Sequence, residues 1–198
     1  NPIVSEAVNT GTLEEKAAVI EALASRKDLG DEILAKFAED GDIRLRLAAA
    51  KSLPRDGRLA FLLKLSEDED YEVRRLAAIS LGAFGKSNKK EAVSGVMKRL
   101  GDPELLLRNE AEKILVGNQI GEEYLKEIQG KYLNSDSSMA SSIVVLGDLK
   151  FTAASQDIHK ILIEKNNDEI KRRALMALGR LEYFPSAKDA AKSAGSAN

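Results

Sequence analysis

The stretch DYEVRRLAAISLGAFG, residues 70–85, decides the fold. Residues three and four positions apart share one face of a helix, so the apolar residues on either side of the central arginine form a stripe. The aspartate can cap the helix start, and the first glycine can end or bend the helix. The stretch therefore predicts an amphipathic helix. Its informative positions are Asp70, Val73, Arg74, Ala77, Leu81 and Gly82.

Weaker copies of this pattern recur along the chain. Successive copies are separated by 30, 28, 34, 31 and 32 residues, counted between the positions equivalent to Arg74. Each period holds two helical patterns, and a lone helical hairpin cannot bury its apolar face, so neighbours must stack. The sequence predicts an all-α solenoid over residues 1–184, with a helical cap or frayed tail over residues 185–198. These equivalent positions, from which all offsets below are counted and which we call the origins, are Lys16, Arg46, Arg74, Arg108, Met139 and Lys171.

Three helix starts can be predicted from capping chemistry. Thr12 and Glu15 have the spacing of a capping box, and Asp70 precedes its helix as an N-cap. Asp102 followed by Pro103 predicts a cap and a first helical residue, because proline fits the first turn of a helix.

The pattern Asp-x-x-Val-Arg-x-x-Ala-x-x-x-Leu-Gly resembles the second helix of HEAT and HEAT-like, lyase-type repeats. Residues 70–82 fit it at every informative position, and residues 170–179 fit nearly as well. The resemblance covers residues 3–182 and is weakest in the first and fifth repeats. It implies a right-handed α-α superhelix of about six helical hairpins. Such repeats serve as scaffolds, adaptors and occasionally enzymes, so the resemblance restricts fold more than function.

Composition excludes several classes of function. Of the 198 residues, 31% are charged, yet the net charge is only −2, which argues against a general binder of nucleic acid or anionic membranes. Cysteine is absent, which excludes disulfides, thiolate catalysis and cysteine-bound zinc. No apolar run approaches the roughly 18 residues that span a membrane. We predict no cofactor, no metal, no nucleic-acid partner and no membrane span.

The compartment and the oligomeric state stay open. The chain begins Asn1-Pro2 without a methionine, which fits the removal of a signal peptide and fits equally a trimmed chain. Cytoplasmic and secreted or periplasmic locations are both compatible with the sequence.

Three features that suggest chemistry have simpler explanations. Residues 80–87 resemble a phosphate-binding loop, but Ser80 stands where the motif requires its first glycine, and the preceding residues are predicted to be helical rather than a strand. The acidic run at residues 67–72 lacks the spacing and central glycine of a calcium loop. His159 is the only histidine, so a catalytic dyad would need unusual partners. We predict no catalytic residue and a non-enzymatic protein.

Acidic and basic residues recur together in successive units. An active site would not repeat in this way, so we interpret the pairs as helix caps and a charge-assisted ladder between neighbouring loops and helices. The predicted ladder consists of Asp42 with Arg46, Asp70 with Arg74, and Asp102 with Arg108.

The positions one and five residues after each origin vary between units and stack one helical turn apart. In repeats of this resemblance, that stripe lines the concave face of the solenoid. Here it combines apolar residues with cations, a composition expected of a peptide-binding groove. We predict a scaffold or adaptor that binds a protein or peptide, its cations suited to an acidic segment. The predicted contact residues are Leu47, Lys51, Arg75, Ile79, Lys113, Val144, Arg172 and Met176.

Other functions stay open at this point. HEAT-like proteins of the lyase type would act on a small ligand or chromophore, but the sequence shows no convergent set of polar groups for one. A DNA-repair glycosylase of HEAT type is disfavoured by the absence of tryptophan and the slightly negative charge. A structural module of a larger assembly would use its ends for contact. The serine-rich fifth unit, around residues 137–142, is either a hinge or a binding notch.

Overall fold

A computed structural model describes residues 2–26, 30–53, 56–84 and 90–185. All regular structure in these ranges is helical and none of it is strand, which confirms the predicted all-α fold. Contacts divide the chain into two compact units, Asn1–Arg99 and Leu100–Asn198. The tail from residue 186 and the glycine-lysine turn at residues 85–89 lie outside the described residues.

Unit 1 is built of helical hairpins. Helices α2, α4 and α6 stack on one another in that order, and each pairs with the helix that precedes it. A 3-10 turn at Asp56–Arg58 leads into α5. The helices are α1 (Pro2–Thr10), α2 (Leu13–Ala24), α3 (Asp31–Phe37), α4 (Ile43–Ala50), α5 (Leu59–Leu65), α6 (Tyr71–Gly82) and α7 (Lys90–Lys98).

Unit 2 repeats the arrangement. Helices α8, α10 and α12 stack in order, and α11 pairs with α12. Helix α9 continues into a π-helical turn at Ile128–Tyr132, which packs against α10, and a 3-10 turn at Thr152–Ala154 precedes α11. The helices are α8 (Leu105–Gly117), α9 (Glu122–Glu127), α10 (Met139–Asp148), α11 (Ser155–Glu164) and α12 (Asp168–Arg180).

The predicted apolar face is confirmed in the second helices of the hairpins, which are α2, α4, α6, α8, α10 and α12. The position three residues after the origin is a fully buried alanine in four of the helices. Most apolar residues at the other two predicted offsets are buried as well; the exceptions are Leu53, which follows α4 and is 37% exposed, and Ile170, which is half-buried. A small residue there lets adjacent helices approach closely, while each buried leucine contributes roughly 1.5–3 kcal/mol. The alanines are Ala49, Ala77, Ala111 and Ala174.

Two of the three predicted helix starts are confirmed. Thr12 and Glu15 form a reciprocal capping box, and the Asp70 carboxylate accepts hydrogen bonds from the backbone N–H groups of Glu72 and Val73. The start predicted at Asp102-Pro103 is wrong: α8 begins at Leu105. The buried Asp102 carboxylate accepts the N–H of Glu104, which forms a side-chain turn ahead of the helix.

The second helices of unit 2 end on left-handed residues that are not glycine. Gln119, Lys150 and Glu182 have φ angles of 48°, 53° and 53°. The residue after each donates its N–H back across the last turn, as in a Schellman motif. The motif glycines Gly147 and Gly179 lie three residues earlier, inside their helices. The helix end of the repeat is therefore set by this backbone motif and not by those glycines.

Candidate functional site

In unit 2, three of the predicted contact residues line one open cleft. Val144 on α10 is half-buried, and Arg172 and Met176 on α12 stand beside it. The cleft has a volume of about 210 Å³, and Glu112, Arg173 and Arg180 also line it. That volume suits one or two side chains rather than a cofactor, whose pockets are typically about 300–1,000 Å³.

An ion pair joins the two helices that flank α10. The guanidinium of Arg173 on α12 donates to Glu112 on α8 across 2.7 Å, and both side chains are largely buried. Burial works against the charge of Arg173, but its hydrogen bonds to Glu169 and Glu112 outweigh that effect and raise its pKa. The pair fixes α8 and α12 on either side of Val144.

The most exposed cation of the cleft, Arg172, is already engaged within its own helix. The Arg172 guanidinium donates to both carboxylate oxygens of Glu169, at 2.7 and 2.9 Å, and contacts the Met176 sulfur at 3.6 Å. Hydrogen bonds from Arg173 and from Arg172 lower the pKa of Glu169. The cleft therefore presents an apolar floor of Val144 and Met176 with a rim of paired charges.

Unit 1 carries a comparable surface on α4 and α6. Ile79 is 38% exposed and Leu47 is half-buried. The Lys51 ammonium lies 2.7 Å from Glu21, and the Arg75 guanidinium is bidentate to Glu72 at 2.6 and 2.8 Å. The hydrogen bond from Arg75 is the main cause of a lowered pKa at Glu72.

The remaining predicted contact residue is Lys113. It is exposed on α8 but is not among the residues that line the cleft of unit 2. The structure thus brings Val144, Arg172 and Met176 together in unit 2, and places Leu47, Lys51, Arg75 and Ile79 on neighbouring helices of unit 1.

The arginines of the predicted ladder close the turn that precedes their own helix. In each case one guanidinium nitrogen donates to the carbonyl oxygens five and six residues earlier. Arg46 reaches Asp40 and Gly41, and Arg74 reaches Asp68 and Glu69. Arg108 does the same with the carbonyls of Asp102 and Pro103. This repeated clamp explains why an arginine recurs at the origin of the repeat.

Two carboxylates of the predicted ladder, Asp42 and Asp70, form the predicted helix caps. Asp42 caps α4 and pairs with Arg44, which lowers the pKa of Asp42. The Arg46 guanidinium instead reaches a carboxylate of the following hairpin, Asp68, at 2.8 and 3.1 Å. The link between neighbouring hairpins therefore runs from Arg46 to Asp68 and not from Arg46 to Asp42, because Asp42 is turned toward its own helix.

Sequence reasoning missed Arg58. Its side chain is 0% exposed, and it donates to the Asp31 carboxylate at 2.8 Å and to the carbonyls of Leu23, Ala24 and Arg26 at the end of α2. A cation at a helix C-terminus satisfies carbonyls that have no partner within the helix. No other repeat has an arginine at the position equivalent to Arg58, so the repeat pattern gave no signal for it.

The described residues offer no recognisable metal site. They contain no group of three histidines, cysteines, aspartates or glutamates arranged to hold a metal ion. His159 lies 5.7 Å from the ring of Tyr183, centroid to centroid, as part of the packing between α11 and the segment after α12. In the same residues, each helix is too short or too polar to cross a membrane.

The family profile of the HEAT repeats matches residues 30–116. This segment, which is less than half of the chain, is similar to HEAT repeats. The match spans three of the arginine origins and confirms the resemblance stated from residues 70–82. No curated protein shows significant sequence similarity to the chain.

Solved structures agree with the HEAT-like fold. An engineered protein aligns with 92% of this chain and 97% of its own, at 17% identity and a TM-score of 0.50. A second engineered protein aligns with 98% of this chain and 61% of its own, at 19% identity and a TM-score of 0.54. The complex of CpcE and CpcF of phycocyanin lyase from Nostoc sp. PCC7120 aligns with 81% of this chain and 68% of its own. Its 21% identity and TM-score of 0.47 are too low to bear on function.

Proposed function

We propose that this HEAT-like chain is a non-enzymatic scaffold that binds a polypeptide on the exposed face of its second helices. The cleft of unit 2 carries the proposal, because it combines exposed apolar side chains with a shape that fits side chains. A helical-repeat scaffold is compatible with protein binding.

Apolar anchors supply the binding energy in this proposal. Met176 is 47% exposed, and Val144 lies half-buried beside it, so an inserted leucine- or methionine-sized side chain would cover both. Binding energy at interfaces concentrates in a few such apolar contacts surrounded by a polar rim. Methionine adapts its shape to different partners, which suits a peptide-binding surface.

Exchangeable ion pairs supply the preference for an acidic segment. The Arg172–Glu169 and Arg75–Glu72 pairs are partly or largely exposed, and exposed pairs of this kind stabilise a protein by about 0–1 kcal/mol. A carboxylate of the partner can therefore replace Glu169 or Glu72 as the partner of the arginine at little cost. The arginines would steer the partner and fix its register rather than hold it.

The test is a selection of peptides from an unbiased displayed library, followed by affinity measurements by fluorescence anisotropy. The variant of the cleft, called the groove variant, carries Arg172→Gln and Met176→Gln. The matched control carries Lys160→Gln and Ile163→Gln on α11, which also removes one exposed ion pair and one apolar side chain of similar exposure, 42% against 47%.

The proposal expects the selected peptides to bind at least tenfold more weakly to the groove variant and with unchanged affinity to the control variant. Peptides that bind both variants as they bind the unaltered chain would contradict it. So would a library of adequate diversity that yields no binder at all.

A further inference from the structure

One face of α12 is exposed although the equivalent face of α10 is covered. Four residues after the origin, Ile143 on α10 is 0% exposed, whereas Leu175 on α12 is 60% exposed. The same offset is also fully buried in α4 and α6, at Ala50 and Ala78. The position is also fully buried in α2, at Ile20, and in α8 it is Glu112, which pairs with Arg173 of α12. Leu175 is therefore the apolar member of this set that is left exposed.

A glycine marks how closely a helix packs on this face. A Cβ atom at Gly147 of α10 would lie 2.7 Å from the Cβ atom of Ala177 on α12, so only glycine permits the observed approach. Gly179 occupies the same offset in α12, and a Cβ atom there would meet nothing within 4 Å. Helix α12 therefore repeats the surface of α10, including its space for a closely packed helix.

The complementary surface is present on α2. Ala22 has the same offset in α2 that Ala177 has in α12, and it is exposed. Val19, at the offset of Ala174, is half-exposed. The charges of the two helices are opposite, since α2 carries three glutamates and one lysine, and α12 carries four basic and two acidic residues.

We propose that α2 of a second copy of this chain docks on α12, in the way that α12 packs on α10. Ala22 of that copy would lie over Gly179, and its Val19 would lie near Leu175. Each copy has one surface of each kind, so the association is head-to-tail and can continue beyond two copies. The contact residues differ from those that line the peptide-binding cleft, although Leu175 and Gly179 lie beside Arg172 and Met176 on α12.

The test is sedimentation velocity of the full chain from low to high micromolar concentration. Gly179→Met should abolish association, because its side chain would occupy the position of Ala22, yet the open space around Gly179 lets the monomer fold. Gly117→Met is the matched control: it also lies in open space at the end of a second helix, and it should associate like the unaltered chain.

A mixing experiment tests the head-to-tail geometry. Ala22→Gln blocks the other surface, so each blocked variant alone should stay monomeric. An equimolar mixture of the Gly179→Met and Ala22→Gln chains should form a 1:1 dimer and nothing larger, since each partner retains one intact surface. Raising the salt concentration should weaken this dimer severalfold because the two helices carry opposite charge.

Three outcomes would overturn the proposal. The unaltered chain could remain monomeric at every concentration, or Gly179→Met could associate as strongly as Gly117→Met. A chain that ends at residue 185 could also associate where the full chain does not. That last result would show that residues 186–198 of the same chain cover the face of Leu175.

Discussion

Ser142 offers the sharpest prediction about stability. It occupies the offset at which four other second helices carry a buried alanine, its side chain is 0% exposed, and its hydroxyl oxygen has no hydrogen-bond partner within the described residues. Ser142→Ala removes one oxygen atom and leaves the rest of the packing unchanged. We therefore expect the substitution to stabilise unit 2.

The magnitude follows from the cost of the hydroxyl. A buried polar group without a hydrogen bond costs about 1–3 kcal/mol, and alanine is the better helix former by a few tenths of a kcal/mol. The lost contacts of one oxygen atom offset a few tenths of a kcal/mol. The free energy of unfolding should rise by about 1–2 kcal/mol, which corresponds to a melting temperature about 4–15 °C higher for a unit of this size.

The assay is urea denaturation followed by far-UV circular dichroism and tyrosine fluorescence, with the slope checked for constancy. Ser138→Ala is the control, because the Ser138 hydroxyl donates to the carbonyl of Tyr132 at 2.7 Å and is equally buried. The control should lose about 1 kcal/mol. If Ser142→Ala also lowered the free energy of unfolding, the hydroxyl would have a partner and the reasoning would be refuted.

Three further substitutions test other parts of the structure. Arg58→Met should lower the free energy of unfolding by about 3–5 kcal/mol, because it removes a buried cation that binds Asp31 and several helix-end carbonyls. The exposed Arg44→Met should leave the midpoint of the same urea titration nearly unchanged. Lys150→Gly should raise the melting temperature slightly, since glycine adopts a φ of 53° without the strain of a side chain. Glu169→Gln should remove a contribution to stability that comes from the lowered pKa of Glu169. That contribution is fully present above the usual glutamate pKa of 4.5 and is lost as the pH falls through the lowered pKa of the folded state. The urea midpoints of the variant and the unaltered chain should therefore converge in acid.

The repeat pattern predicted the parts of the fold that recur. Apolar offsets, the capping aspartate at Asp70 and the stacking of second helices all follow from helical periodicity, and a chance sequence would not keep them in register over several periods. The arginine at the origin was also visible, although its bonds to the carbonyls five and six residues earlier were not. Those bonds depend on the turn geometry, which the sequence does not specify.

Features that occur once could not be predicted. Arg58 lies in a short 3-10 turn, and its partners are up to 35 residues away along the chain. The sequence predicts a start of α8 at Asp102-Pro103, because proline after aspartate is compatible with a helix start. In the structure a side-chain turn forms at Asp102 instead, and the helix begins at Leu105. The left-handed helix ends at Lys150 and its equivalents carry residues that rarely adopt this conformation, so composition pointed to the glycines instead.

The predicted contact residues illustrate the same limit. Offsets placed Val144, Arg172 and Met176 on one stripe, and the structure shows them around one cleft. The pattern could not show that the arginines are bound by Glu169 and Glu72, because side-chain pairing within a helix competes with exposure to a partner. The proposed preference for acidic segments therefore depends on exchange of these pairs.

The chain's three methionines permit the most direct test of the proposed groove. Met97 and Met139 are buried, whereas Met176 stands in the cleft of unit 2. Methyl NMR of methionine-labelled protein, titrated with a selected peptide, should shift the Met176 signal strongly and leave the other two nearly unchanged. A peptide that binds but leaves the Met176 signal in place would contradict the account, because binding would then lie away from the cleft.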